Sequence, residues 1–437
     1  MKSKSKKISG WGNYSHTYSE VYRPESLRDL QKIVKNEKKI LAFGSNLSYG
    51  DSSLAETTID MKRMDKMISF DIKNGVVKAE GGIILDEIIK IVVPQGWFFV
   101  VTPGTKYVTL GGCVASNVHG KNHHEQGSFI SCVLSMEIIN DNGELVECSK
   151  THNADLFHAT FGGMGLTGII YSVVMKLKKI ESKYVSVKYE KCSNMDVIFD
   201  KLGKYDKAYE YTVVWIDCLA RGKNLGRGVI IAGNHSKKTG DLELTAGKNI
   251  HVPLYLPRFL LNKLFLKIFN TIFYNIHPDT KKEVYFDKFF YPLDAIKNWN
   301  RLYGRKGFVQ YQFVVPLKDA RSAVKEILNT VLSCGEASFL SVLKMFKDED
   351  FMLSFPKEGY TLAMDFPATK RTAGVIKMLD EIVLKYGGRL YLTKDSFMDS
   401  KMLHKNYPKI EEWKKIKRKY DPEVKFTSLQ AKRVGLV

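Results

Sequence analysis

Three stretches of this chain bare the backbone and ring it with polar side chains, as the binding of a large anionic ligand requires. The longest is TPGTKYVTLGGCVASNVHGKNHHEQGSF, from Thr102 to Phe129. Pro103-Gly104, Gly111-Gly112, Gly120 and Gly127 let backbone approach a partner closely or take φ > 0. His119, Lys121, Asn122, His123 and His124 lie between them. Together they suit a flat, phosphate-bearing ligand. The second stretch is AFGSNLSYGD, Ala42 to Asp51, directly after a strand-like run. Asn46, Gly44 and Gly50 can supply φ > 0. Successive N–H groups in such a loop form a concave anion site. A pyrophosphate is its natural occupant, and a plain hairpin turn is the other reading. The third is Gly163-Met164-Gly165-Leu166-Thr167-Gly168, a literal G-x-G-x-x-G. A Rossmann fingerprint needs a strand before it and a helix after it. Here helix-like NADLFHATF precedes and strand-like IIYSVVMKLKKI follows. The motif is therefore a tight turn that either meets a ligand through its backbone or only packs.

Rigid elements must hold these loops. WFFVV (Trp97 to Val101) and CVLSMEII (Cys132 to Ile139) read as buried strands flanking the first stretch. From 17 to 181, short strands, turns and helices alternate. EVYRPES opens as a turn, LRDLQKIVKN predicts a helix and KILAFGS a buried strand. TTIDM, VVKAEGG and GELVECS predict strands with turn signals between them. LDEIIKIVVPQG predicts a helix stopped at Pro94 and Gly96. Near Glu181 the pattern changes. SKYVSVKYEKC, EYTVVWIDCLA, RGVIIAG, FVQYQFVVP, SFLSVLKMF and YTLAMDFP predict strands. MDVIFDKLGKY, DARSAVKEILNTVLSC and TAGVIKMLDEIVLKYGG predict helices. That is a sheet covered on one side by helices, a second domain. The tail is polar and helical, and the fold class is α+β.

Bulk numbers narrow the partners. The chain has 437 residues and a formal net charge of +20. Such an excess fits phosphorylated substrates or an anionic membrane surface. Nucleic acid is not expected, because the basic residues are dispersed and no nucleic-acid motif accompanies them. Six cysteines without C-x-x-C spacing argue against a zinc site and a disulfide framework. The N-terminus, MKSKSKKISGWG, has no apolar core of a secretory signal. The most apolar long run, His251 to Asn275, is broken by Pro253, Pro257, Arg258, Lys263 and Lys267, so no membrane span is expected. From Pro257 its apolar residues fall at helical spacing with cations between them. Two readings stand: a helix lying in a bilayer interface, or an amphipathic helix packed on the protein's own core.

The three glycine-rich loops and the order of elements resemble the vanillyl-alcohol-oxidase-type FAD-linked oxidases from Gly10 to the C-terminus. The stretches that carry the resemblance are GWG, SYGD, PGT, HGKNHH, GSF, GGMGLTGII, WNRLYG, FVQYQFVVP, SFLSVLKMF, MDFP, GGRLYLTKDS and YP with EEW following. HGKNHH with YQFVVP and TKDS is the specific combination. The resemblance implies a two-part FAD-binding domain of PCMH type, residues 1–181 and 390–437. This wraps a substrate-binding domain, 182–389, with a helix-covered antiparallel sheet. Implied FAD contacts are Gly44, Ser45, Asn46, Leu47, Ser48, Tyr49 and Gly50 in the first loop. Pro103, Gly104, Thr105, Thr109, Gly111, Gly112, Ser116, Asn117, His119, Gly120, Asn122 and His123 follow in the second. Gly165, Thr167, Gly168, Ile169, Tyr391 and Lys394 complete the set. Implied substrate contacts are Lys121, Trp215, Gln310, Gln312, Lys344, Phe346, Thr361 and Ala363.

The implied activity is oxidation of a sugar's secondary hydroxyl, at C2′ of a polyprenylphosphoryl pentose, by hydride transfer to flavin N5. The keto sugar would pass to an NAD(P)H-dependent reductase, completing an epimerisation in cell-wall or polysaccharide synthesis. Lys394 is the implied catalytic cation, with Tyr49 and His119 beside it. Gln310 and Gln312 alternate with Tyr311, so a strand points both amides to one face, where they suit sugar hydroxyls. The implied location is cytoplasmic, peripheral at the inner face of the plasma membrane. The alternative activity is that of a soluble aldonolactone or alditol oxidase. Two departures matter. The first loop has Phe43, Asn46 and Leu47 where close members have arginines and a glycine. It has no histidine, so non-covalent FAD is expected. Thr361 and Ala363 stand where those members have asparagine and cysteine, which changes the sugar hydroxyls the pocket can pair.

Overall fold

The computed structural model describes residues 3–238, 242–245, 247, 250–257, 263–277, 279–336, 338 and 340–437. Arg258, within the predicted amphipathic segment, and Phe339, within the predicted SFLSVLKMF strand, lie outside the described residues. Two sheets form the N-terminal part. The first orders Lys4–Ser9, His16–Tyr22, Thr57–Asp60 and Leu41–Phe43, its first pair antiparallel and the others parallel. The second is antiparallel: Met67–Asp71, Val76–Glu80, Ile169–Lys179, Val133–Ile139 and Leu145–Ser149. Trp97–Phe99 pairs with the far end of Ile169–Lys179. A third, eight-stranded sheet is antiparallel throughout. Its order is Thr280–Tyr285, Tyr184–Cys192, Gly228–His235, Tyr211–Ile216, Ser341–Phe346, Gly359–Pro367, Phe308–Pro316 and Arg389–Leu390.

That eight-stranded sheet has one face for the core and one for chemistry. Side chains alternate along a strand. Val309, Tyr311, Phe313 and Val315 therefore join the core beneath the helices Met195–Ala208, Ala320–Ser333 and Thr372–Lys385. Leu343, Leu362 and Met364 do the same on neighbouring strands and are fully buried. Each such side chain contributes about 1.5–3 kcal/mol. The intervening residues turn to the opposite face. Register then lays Trp215, Val342, Ala363 and Gln312 in one row across four strands, and Lys344 opposite Thr361.

The C-terminal tail returns to the N-terminal part. Trp413 Nε1 donates to the carbonyl of Ala159 at 2.8 Å, and Lys417 Nζ to that of Leu166 at 2.8 Å. Lys425 Nζ bonds the carbonyls of Val34 and Asp141.

Several sequence expectations are corrected. Lys4–Ser9 is a strand that the sequence reading did not predict, and Glu20 to Tyr22 end a strand rather than open a turn. The 102–129 stretch is not all loop: Leu110–Ala115 is a short helix, because Thr109 Oγ1 caps the N–H of Gly112. The Lys263–Ile276 helix packs one face on the protein, with Leu266 and Asn270 buried. No helix among the described residues is long and apolar enough to cross a membrane.

Candidate active site

A cavity of about 740 Å³ lies between the glycine-rich loops and the chemical face of the eight-stranded sheet. The first loop, Gly44 to Tyr49, lines it entirely. Asn46 takes φ 53°, as expected. Gly44 and Gly50 do not take φ > 0. They are glycine for closeness, since a Cβ on Gly44 would run into Thr109 and one on Gly50 into the carbonyl of Asp395. Gly50 consequently lies outside the lining. Pro103, Gly104, Thr105, Thr109, Gly111, Gly112, Ser116 and His119 line the next wall. Gly111 N donates to the carbonyl of Gly81 at 2.7 Å, a contact any side chain would disturb. Gly165 and Gly168 line the cavity through the tight turn, so the 163–168 motif meets the cavity by its backbone. Gly168, at φ 139°, packs against Ile138 and tolerates no Cβ.

Lys394 sits on the turn Leu392–Lys394, which three contacts fix. Tyr391 N donates to Gln312 O at 3.0 Å, Tyr391 Oη to Ser116 O at 2.7 Å, and Tyr49 N to Thr393 O at 3.2 Å. Lys394 Nζ then lies 3.8 Å from the Tyr49 ring centroid, a cation–π contact. Burial lowers Lys394 to about 7, although the charge of Asp365 pulls the other way. Asp365 is fully buried behind Gln310, and burial raises its carboxyl to about 7. Gln310 Nε2 donates to Asp365 Oδ1 at 2.6 Å. That bond turns the Gln310 amide nitrogen toward Asp365 and its Oε1 away from it. Tyr303 Oη reaches Asp365 Oδ2 at 3.5 Å.

A second polar line crosses the sheet. Lys344 Nζ lies 3.0 Å from His119 Nδ1, and Gln312 Nε2 lies 3.2 Å from His119 Nε2 and 3.1 Å from Thr361 Oγ1. Burial, then the charge of Lys344, holds His119 well below the usual imidazole range, so the ring is neutral. Burial lowers Lys344 to about 7, with Lys121 and Lys394 pushing the same way. Gln310, Gln312, Lys344, Ala363, Tyr391 and Lys394 all line the cavity.

Other residues singled out from sequence stand behind the wall. Lys121 Nζ bonds the carbonyl of Phe289 and lies 4.3 Å from its ring centroid. Trp215 packs on Phe273 at 4.6 Å, and Phe346 on His119 at 4.8 Å. Thr361 reaches the cavity only through Gln312. Asn117 accepts from Ile130 N, and Asn122 donates to Val100 O. Gly120 lies against Thr102 and the Asn122 side chain. His123 bonds Ser128, Thr167 bonds Thr160, and Ile169 belongs to a small core with Leu30 and Ile59. Sequence reasoning missed Trp11, Ser53, Met164 and Trp299, which line the cavity. The GWG run was the available signal: Trp11 N donates to Ser48 O at 2.8 Å, and Trp11 meets Trp299 edge-on at 5.8 Å.

The residues fit FAD. Asn46 Oδ1 and Ser53 Oγ, on lining residues, are buried without a hydrogen-bond partner. Buried polar atoms call for one, and phosphate or ribose groups supply it. Gly104 faces space with no atom within 4 Å of where its Cβ would stand, room that a flat ring system fills.

Comparison with known proteins agrees. Residues 19–149 match the profile of an FAD binding domain, and residues 298–434 that of D-arabinono-1,4-lactone oxidase. Over an alignment 456 positions long, the chain is 33% identical to decaprenylphosphoryl-beta-D-ribose oxidase of Mycolicibacterium smegmatis, covering 99% of this chain and 98% of that protein. It is 28% identical to D-lactate dehydrogenase of Anaerostipes hadrus over 40% of this chain and 41% of the other. With L-gulonolactone oxidase of Mus musculus, identity is 24% over 42% of this chain and 44% of the other.

Proposed function

This chain belongs to the family of FAD-linked oxidases that includes decaprenylphosphoryl-beta-D-ribose oxidase, and on that premise we propose that it oxidises a secondary hydroxyl of a polyprenylphosphoryl pentose, at C2′, to the ketone. One observation carries the choice of substrate. Lys344 and Lys394 face one cavity, and neither makes an ion pair with a carboxylate among the described residues. A phosphate-bearing substrate neutralises such a wall, whereas an uncharged lactone leaves Lys344 unmatched.

When bound, FAD supplies the two-electron acceptor for the hydride leaving the carbinol carbon. The side chains do the rest. Gln310 Oε1 accepts from the reacting hydroxyl and orients it. Lys394, balanced near neutrality, takes the hydroxyl proton at Nζ as the amine. It then holds that proton as an ammonium against the Tyr49 ring and the Asp365 charge. Neutral His119 acts by positioning, joining Lys344 to Gln312. The first loop carries no histidine, which supports FAD held without a covalent bond. The keto sugar would then go to an NAD(P)H-dependent reductase.

A second reading rests on the lactone-oxidase profile over 298–434: a soluble aldonolactone or alditol oxidase. Anaerobic titration separates the two. A polyprenylphosphoryl pentose should bleach the flavin, and free lactones and alditols should not; the reverse result would overturn the assignment. Lys394→Ala should lower the rate of bleaching by about 10²–10³-fold or more while FAD stays bound. Unchanged bleaching in that variant would remove Lys394 from the chemistry.

A further inference from the structure

Lys344, His119, Gln312 and Thr361 form one hydrogen-bonded line on the cavity wall, and its links cannot be set independently. Lys344 Nζ lies 3.0 Å from His119 Nδ1, and Gln312 Nε2 lies 3.2 Å from His119 Nε2 and 3.1 Å from Thr361 Oγ1. The His119 ring is neutral, since burial and the Lys344 charge hold it well below the usual imidazole range. A neutral imidazole carries one N–H and one accepting nitrogen. Its two neighbours must therefore present opposite polarities to it.

Two arrangements satisfy the whole line. In the first, Lys344 is an amine and accepts from Nδ1–H. His119 Nε2 then accepts from one amide hydrogen of Gln312, and Thr361 Oγ1 accepts from the other. In the second, Lys344 is an ammonium and donates to Nδ1. The ring proton then sits on Nε2 and needs the Gln312 amide oxygen, to which the Thr361 hydroxyl also donates. The two differ by a half-turn of the Gln312 amide. Thr361 permits that turn because a hydroxyl both donates and accepts. Its side chain is fully buried and bonds Gln312. The far end of the amide, Oε1 in the first arrangement, has no hydrogen-bond partner among the described residues and is not sealed from solvent, so it opens on the cavity that Gln312 lines. The turn replaces an acceptor there with a donor. The charged groups about the line are Lys121 and Lys394 beside Lys344, and Lys394 and His123 beside His119, with Glu349 3.6 Å from His123 Nε2.

We propose that His119 and Thr361 are positioning residues that couple the Gln312 amide to Lys344, so that a phosphate held by Lys344 turns the donor end of Gln312 toward the sugar. The coupling deepens the reading that the substrate carries a phosphate and rests on it. A phosphate-bearing ligand meets a donor at Gln312, which suits an accepting sugar oxygen. An uncharged sugar meets an acceptor.

The test uses the full-length, FAD-loaded protein with isotope-labelled histidine nitrogens, because nuclear magnetic resonance tells an N–H ring nitrogen from a bare one. The His119 signals are those missing from His119→Gln. Without ligand, raising the pH from about 6 to about 9 should move the ring proton from Nε2 to Nδ1, since Lys344 titrates near 7. Inorganic phosphate at about pH 8 should return it to Nε2. Thr361→Val leaves an amide hydrogen unpaired in the first arrangement, whereas in the second the amide oxygen keeps its bond from the ring. The switch should therefore move up by about one pH unit, and Thr361→Ser should restore it. A merely structural threonine would leave the switch where it was. Lys344→Met should abolish the response to pH and to phosphate. A ring proton that stays on one nitrogen across this range, or that still moves in Lys344→Met, would overturn the coupling. So would an unchanged switch in Thr361→Val. Phosphate that leaves the ring unmoved while pH alone still moves it would leave the coupling standing and overturn only the phosphate reading.

Discussion

At the scale of single residues the site holds one lysine, Lys344, that makes no ion pair with a carboxylate among the described residues, and that lack is testable. Burial and neighbouring positive charge hold Lys344 near 7, far below an ordinary lysine. A phosphate placed against it favours the ammonium. Affinity for a phosphate-bearing ligand should therefore fall as pH rises through 7, by up to about tenfold per unit. Binding at pH 8 should take up a proton. Calorimetry in two buffers of different ionisation enthalpy reads that uptake, and an uncharged sugar alcohol should show none. Asp365 supplies the second residue-scale test. Its bond to Nε2 turns that end of the Gln310 amide toward the carboxylate. Asp365→Asn offers the amide a donor as well as an acceptor, so Gln310 can turn over. The expected loss is about 1–3 kcal/mol in kcat/KM, ten- to a hundredfold, with FAD affinity retained. Since the lost carboxylate also steadied the Lys394 ammonium, the pH dependence of flavin reduction should shift to lower pH. A merely structural asparagine would leave that profile where it was.

At the scale of elements the glycine-rich loops divide into those that pack on protein and those that leave room. Gly104→Leu meets nothing in the protein within 4 Å of its Cβ. It should leave the melting temperature of the FAD-free protein unchanged while weakening FAD binding. Gly44→Ala drives a methyl into Thr109, whose hydroxyl caps the Leu110–Ala115 helix. It should destabilise the FAD-free protein itself by about 1–3 kcal/mol. Thermal melts with and without FAD distinguish the two effects. Most buried strands and the three long helices were legible in the sequence, because burial imposes periods of two and of three to four on their residues; the more exposed strands Lys4–Ser9, Met67–Asp71 and Thr280–Tyr285 were not. The inverted order around 163–168 was legible for the same reason. The 110–115 helix was not: glycines at 111 and 112 argue against a helix locally, and only capping by Thr109 and packing on Gly81 overrule them. Nor was Asp365 legible as the partner of Gln310, which depends on register between strands 55 positions apart in sequence.

At the scale of the whole molecule the question is what holds the last residues of the chain against the first loop, since Lys394 and Tyr49 must stay in contact. The pattern of a late segment returning to an early one cannot be read from periodicity, and here it came only through likeness to a family. The structure gives it a physical basis in Arg433. Its Nη2 lies 2.7 Å from Asp51 Oδ1 and 2.9 Å from Asp395 Oδ2, and its Nε 3.0 Å from Asp51 Oδ2. The two carboxylates come from the residues just after the first loop and just after Lys394. One guanidinium therefore ties the ligand loop and the lysine turn to the final helix, Leu429–Val434, and Gln430 Nε2 on that helix adds a bond to Leu392 O at 2.7 Å. Arg433→Ala leaves two buried carboxylates facing each other without a cation. The expected cost is about 3–5 kcal/mol in unfolding free energy. Arg433→Lys, which keeps the charge but loses the fork that spans both acids, should recover only part of it. Both variants should release FAD more readily than they lose secondary structure, because the parts they separate are the two walls of the cavity. Denaturant melts followed at once by flavin fluorescence and by far-ultraviolet circular dichroism measure this. In the wild type the two signals should change together; in the variants the flavin should leave first. Coincident transitions in Arg433→Ala would mean that the walls are held by the sheet alone.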